Sequence, residues 1–187
     1  LEYVEPEVHP DVMLLWLCEP DESFHKCGIG SPEAMETIRN ADSEFGRILA
    51  HHRAAIDAGE LNVIAMSDHG QITLAGEALD LTAKLTAAGF AAATQPGDGT
   101  EFVVVPGNAA GIWATPAGLQ RIDALIGWLR EQGWCGPLFT KTGSLGTLTH
   151  DLICLDHPRA PDIALVFRSD DRANAFGRHG TTVHDAP

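Results

Sequence analysis

Basic residues are scarce in this chain: 12 Lys and Arg stand against 26 Asp and Glu, for a formal net charge of -14. Such a balance disfavours a protein whose main partner is a nucleic-acid backbone, where affinity rests on neutralising phosphates with cations. The surplus carboxylates suit a solvated surface or bound cations, and composition alone does not choose between them. Cysteine is also sparse. Cys18, Cys27, Cys135 and Cys154 form no Cys-x-x-Cys pair and fall below the density of a disulfide scaffold, so they read as ordinary thiols. No run approaches the roughly 18 apolar residues that a membrane span needs. The opening Leu1-Glu2-Tyr3-Val4-Glu5 has neither a basic stretch nor an apolar core of the export-signal kind, which tips the expected compartment slightly towards the cytoplasm.

What is present is the composition of a globular protein: 187 residues, 44% apolar and 20% charged. That length allows one ordinary domain with a sizeable core, or one lobe of a larger unit. Residues 12–18 (Val-Met-Leu-Leu-Trp-Leu-Cys) are continuously apolar between Pro10 and Pro20, the pattern of a strand buried on both faces of a parallel sheet. A polar loop carrying Asp21 and His25 follows. Ser31, Pro32 and Glu33 then announce a helix: a capping hydroxyl, a proline at the first helical position and an acid in the first turn. Ala34, Ile38, Ala41, Phe45 and Leu49 continue it at helical spacing, to an end near Gly59. A second apolar run at 61–66 (Leu-Asn-Val-Ile-Ala-Met) completes a strand, helix, strand crossover.

Beyond Gly76 the pattern predicts a helix over 77–88, strands over 101–105 and 111–114, and a helix over 116–132. Further strands are expected over 152–155 and 163–167, with 168–187 as loop. The fold class expected is α/β, a partial parallel-sheet core over 1–76 and 150–187 with a small α+β insertion or cap over 77–149.

Two polar loops at strand ends hold the candidate chemistry, since open α/β sheets collect ligands at the carboxyl ends of their strands. Asp21 and His25 are four residues apart, and Asp68 and His69 are adjacent after the second apolar run. Carboxylate and imidazole together serve zinc and harder divalent cations, and two such pairs suit a binuclear site. Each motif alone is weak: an isolated Asp-x-x-x-His occurs by chance in many loops, and Ser67 or Asp68 could cap a turn. His51 and His52 read as solvent-facing, and His9, His150 and His157 belong to no motif.

The stretch 18–33, with Asp21, His25, Gly28 and Glu33, resembles the Asp-x-x-x-His-x-x-Gly segment of the type I phosphodiesterase/nucleotide pyrophosphatase family, in the alkaline phosphatase superfamily. Residues 62–70, ending Ser67-Asp68-His69-Gly70, resemble that family's second motif, and His179-Gly180-Thr181 its late His-Gly motif. The resemblance runs in the family's order through the chain and implies an alkaline phosphatase type of core.

It implies that Asp21, His25 and His179 hold one zinc ion and that Asp68 and His69 hold a second metal. His184 is the rival to His179. The implied reaction is hydrolysis of a small phosphate ester or nucleotide by in-line displacement, with an attacking Thr or Ser. In the family that group comes from a region N-terminal to the motifs, and no Ser or Thr precedes Asp21 here. The expectation is therefore a chain inactive on its own. Sulfatases and phosphonate hydrolases of the same superfamily, and a non-catalytic metal-binding module, remain alternatives. The oligomeric state stays open, with self-association through an exposed sheet edge the expected risk.

Overall fold

The computed structural model describes residues 10–185, with side chains to residue 182. His9 and the side chain of His184 therefore lie outside the described residues. Two compact units emerge: one of residues 1–73 with 175–178, the other of 74–174 with 179–187. Each is treated by itself.

The first unit is helical. α1 spans Asp21–Cys27 and ends at Gly28, whose N–H closes the last turn on the Phe24 carbonyl at 3.0 Å. α2 spans Pro32–His51, and its start follows the sequence signal: the Ser31 hydroxyl accepts from the Ala34 N–H at 3.1 Å, with Pro32 in the first turn. α3, Arg53–Asp57, follows after a break at His52, and Gly59 takes a φ of 73° where the helical stretch stops. Ala34 is the one buried residue of α2, although the helix carries an apolar stripe.

The two apolar runs do not form the buried strands expected of them. Residues 12–18 and 61–66 carry no strand, and Leu14 is 89% exposed and Ile64 83% exposed. A strand is stable only when its backbone groups have a ladder partner. Among the described residues neither run has one, so hydrophobic content alone leaves them without regular structure and exposed.

The second unit is mixed α/β. Its larger sheet has six strands in the order β2-β3-β4-β7-β5-β6. These are β2 (Ala92–Ala93), β3 (Phe102–Val105), β4 (Ala109–Ala114), β5 (Cys135–Thr140), β6 (Leu148–Thr149) and β7 (Ile163–Phe167). β2–β3 and β5–β6 are parallel; the β3–β4, β4–β7 and β5–β7 pairs are antiparallel. Alternation along β3 and β7 sends Phe102, Val104, Ile163 and Leu165 into the core. There they meet Leu81 and Leu85 of α4 (Leu81–Ala87) and Leu125, Ile126 and Leu129 of α6 (Ile122–Arg130). Each such side chain contributes roughly 1.5–3 kcal/mol of burial.

Several sequence expectations change here. The helix expected from 77 begins only at Leu81, capped by Asp80, because 73–78 are drawn into β1 (Thr73–Ala78). The helix expected over 116–132 is two: α5 (Pro116–Leu119) and α6, separated at Gln120 and Arg121. Residues 150–153 form a 3-10 turn rather than a strand, with His150 buried and its Nε2 3.2 Å from the Phe139 carbonyl. The stretch read as loop after 168 holds β8 (Ser169–Ala173) and β9 (His179–Asp185), joined with β1 in a sheet ordered β1-β9-β8.

Candidate functional site

α1 exists because Pro20, Asp21 and Glu22 open it and Gly28 closes it, and its four-residue repeat places Asp21 and His25 on one face. Asp21 Oδ1 lies 3.6 Å from His25 Nε2. The same oxygen lies 3.9 Å from His69 Nε2, and that ring nitrogen is 3.7 Å from Asp68 Oδ2. The structure thus gathers four of the five residues singled out in the sequence, Asp21, His25, Asp68 and His69, around one carboxylate in the first unit. His25, Asp68 and His69 are exposed and Asp21 is half-buried, the side chain of His25 being the most open at 71% and that of Asp21 the least at 47%.

The second loop is held by its own hydrogen bonds. The Ser67 hydroxyl donates to the His69 carbonyl at 2.6 Å, and the His69 N–H donates to Asp68 Oδ1 at 3.1 Å. His69 Nδ1 is 3.0 Å from the Gly70 carbonyl. A carbonyl only accepts, so Nδ1 carries the proton and the neutral ring keeps its lone pair on Nε2, the atom facing Asp21. The Gly70 carbonyl, then Asp68 and Asp21, favour the imidazolium and raise the His69 pKa above its ordinary value. The Gln71 side-chain amide donates to Asp21 Oδ1 and so ties α1 to the second motif as well. Gln71 was not picked out from the sequence; its place two residues after His69 is the signal that was available.

His179 stands in the second unit at the start of β9, paired across the ladder with Ala173 of β8. Its Nδ1 is 2.9 Å from the Asp171 carbonyl and 3.3 Å from Asp171 Oδ1. Here too a carbonyl fixes the proton on Nδ1 and leaves Nε2 as the basic atom. Asp171 escaped sequence reasoning because the β8–β9 hairpin that sets it beside His179 was read as loop.

The donor set, carboxylates and imidazoles with Nε2 unprotonated, is chemically suited to a divalent cation. Outer partners of this kind, a carbonyl on the remote ring nitrogen, are the usual company of metal-ligating histidines. The spacing is that of ion pairs. Among the described residues no group of three or more His, Cys, Asp or Glu side chains is arranged to hold a metal ion. Of the other histidines, His157 borders an apolar groove in the second unit with Trp113 and Arg159, and its Nδ1 accepts from the Arg159 N–H at 3.1 Å, a local turn contact.

Comparison with known proteins bears on residues 2–119, which match the family model described as Type I phosphodiesterase / nucleotide pyrophosphatase. That range contains Asp21, His25, Asp68 and His69 and stops short of His179. The chain is also 35% identical over 71 residues to ectonucleotide pyrophosphatase/phosphodiesterase family member 7 of Homo sapiens, a match covering 38% of this chain and 16% of that protein. The chain therefore spans only a small part of the relative's length. No solved structure matches it.

Proposed function

The chain belongs to the type I phosphodiesterase / nucleotide pyrophosphatase family, a family of hydrolases, and on that premise we propose that it forms part of a two-metal enzyme cleaving small phosphate esters or nucleotides. Asp21, His25 and His179 would hold one divalent cation and Asp68 and His69 a second, with zinc the metal that this mixed donor set favours. Bound there, such cations supply charge neutralisation to a transferring phosphoryl group, the main demand of in-line phosphoryl displacement.

The observation that carries the reading is the position of Asp21 Oδ1 within 4 Å of both His25 and His69, which joins the two sequence motifs in space. The chain's own residues have definite tasks in this scheme. His69 and His179 present Nε2 because the carbonyls of Gly70 and Asp171 hold the proton on Nδ1. Asp21 Oδ1 stands beside both imidazoles, and the Gln71 amide donates to it. Asp68 braces its own loop through the His69 N–H with one carboxylate oxygen and faces the His69 ring with the other. We assign no nucleophile to any Ser or Thr of this chain.

The test is zinc affinity of three variants measured by competition with a chromogenic chelator. Asp68→Ala and His25→Ala are expected to lower affinity by at least about tenfold, and His51→Ala to leave it unchanged. Equal affinities across the three would overturn the site.

A further inference from the structure

The six-stranded sheet of the second unit buries one face, through Phe102, Val104, Ile163 and Leu165, against α4 and α6. Along β4 the opposite face receives Ala109, Gly111 and Trp113, and Ala164 of β7 stands across the ladder from Gly111. These small residues leave an open groove of about 600 Å³, bordered by Trp113, His157 and Arg159. That volume falls within the roughly 300–1,000 Å³ of small-molecule sites, which combine apolar and aromatic walls with a few polar groups. None of the described residues lining it is Asp or Glu, although the chain holds 26 of them.

The indole and the turn beside it hold each other in place. Trp113 Nε1 donates to the Arg159 carbonyl at 3.1 Å, and the Ala160 N–H donates to the His157 carbonyl at 2.9 Å. Pro158 and Pro161 stiffen the same turn. The six-membered ring of the indole lies over Gly111, where a Cβ would come 2.8 Å from Cζ3 and Cη2. His157 Nδ1 accepts from the Arg159 N–H at 3.1 Å, so the neutral ring carries its proton on Nε2 and is a donor there. Arg159 differs from the other arginines of this unit. Arg121 and Arg172 pair with carboxylates at 2.7 Å, and Arg130 and Arg168 reach the carbonyls of Leu145 and Gly133. Among the described residues the Arg159 guanidinium has no such partner, and its bonds are those of its backbone.

We propose that this groove binds a flat aromatic ring carrying a phosphate group, as in a nucleotide or an aryl phosphate. The ring packs against the Trp113 indole over the small-residue floor, and the phosphate takes the donors of Arg159 and His157. A guanidinium fork matches phosphate geometry, and an indole stacks on a flat ring whatever hydrogen bonds that ring makes. A lining without carboxylates spares the anion the repulsion that a net charge of -14 sets up elsewhere. The groove lies wholly in the second unit, so it stands whether or not the Asp and His pairs of the first unit hold metal.

The experiment is isothermal titration calorimetry on the whole chain with EDTA present, which removes any contribution from metal-bound phosphate. Adenosine monophosphate and phenyl phosphate should each bind at one per chain. Adenosine and inorganic phosphate, each with half of the recognised chemistry, should bind at least about tenfold more weakly. A tenfold preference for adenosine monophosphate over phenyl phosphate assigns the groove to nucleotides, and equal affinities assign it to phosphorylated rings in general. Arg159→Gln should weaken adenosine monophosphate about tenfold and leave adenosine unchanged, while Arg168→Gln changes neither. Trp113→Ala should weaken both ligands about tenfold, with partial recovery in Trp113→Phe. Should Trp113→Ala fail to fold, Arg159→Gln on its exposed turn decides the matter. No binding of adenosine monophosphate up to millimolar concentration overturns the site, as do equal affinities for it and for inorganic phosphate. Equal losses in Arg159→Gln and Arg168→Gln, or binding that appears only when zinc replaces EDTA, overturn it as well.

Discussion

Asp21 Oδ1 lies 3.9 Å from His69 Nε2, so the carboxylate that opens α1 faces the imidazole of the second motif. The same oxygen is 3.6 Å from His25 Nε2 and accepts from Gln71. One side chain thus stands beside both histidines of the candidate site in the first unit, and Asp68 joins it only through His69. Asp21→Asn keeps the shape and removes the charge. It is expected to lower zinc affinity by more than about tenfold, the scale on which even outer partners of a metal site act. It should also lower the pKa of His69, for which Asp21 is one of the supporting charges. Titration of the His69 ring by NMR checks the second outcome, and an unmoved ring would contradict the contact.

The Glu101 carboxylate receives the Arg121 guanidinium at 2.7 and 2.9 Å and the Ala91 N–H at 3.0 Å, and these bonds hold its pKa below the ordinary carboxylate value. A group whose folded pKa is depressed contributes stability that is complete above its unfolded pKa, about 4.3 for Glu, and is lost as pH falls through the lower folded value. Glu101→Gln should therefore lower the melting temperature at pH 7 and shrink the difference from wild type at pH 3. A constant difference across that range would contradict the ion pair's role.

Cys135 is partly buried at the start of β5, and burial pushes its thiol up to about 11. Cys18, Cys27 and Cys154 are exposed. Since the thiolate is the reactive form, iodoacetamide at pH 8 should label those three first and Cys135 last, as read by mass spectrometry of the native chain. Early labelling of Cys135 would show that β5 opens readily.

The core of the second unit gives a stability prediction. Phe102 is fully buried, with its ring edge-on to Phe90 at a centroid distance of 5.9 Å. Phe102→Ala should cost about 3–5 kcal/mol in chemical denaturation, against less than about 0.5 kcal/mol for the exposed Leu119→Ala. Comparable losses at the two positions would argue that β3 is not where the core sits.

Much of this was legible in residues. Ser31 and Pro32 announced α2 and the valines after Phe102 announced β3, whereas the stretch carrying Asp21 and His25 was read as a polar loop and is the helix α1. Other elements depend on partners that a one-dimensional pattern does not show. β5 carries Gly136 and Pro137, residues that disfavour strands, and the ladder absorbs them with a register shift between Cys135 and Leu138. β8 reads Ser-Asp-Asp-Arg-Ala, with no apolar alternation, and is a strand because β9 pairs with it. The opposite error occurred at 12–18 and 61–66, where apolar runs look like strands and find no ladder among the described residues. At the site, the ligand types were visible in sequence, whereas Gln71 and Asp171 act through neighbours that only folding brings near.

The most direct test of the central claim is metal content. The purified chain is dialysed against trace zinc, washed free of loose ions and analysed by mass spectrometry beside His25→Ala. Stoichiometric zinc in the wild-type chain and its loss in His25→Ala is the predicted result. No zinc in either chain, or the same zinc in both, would contradict the assignment of Asp21 and His25 to a metal site.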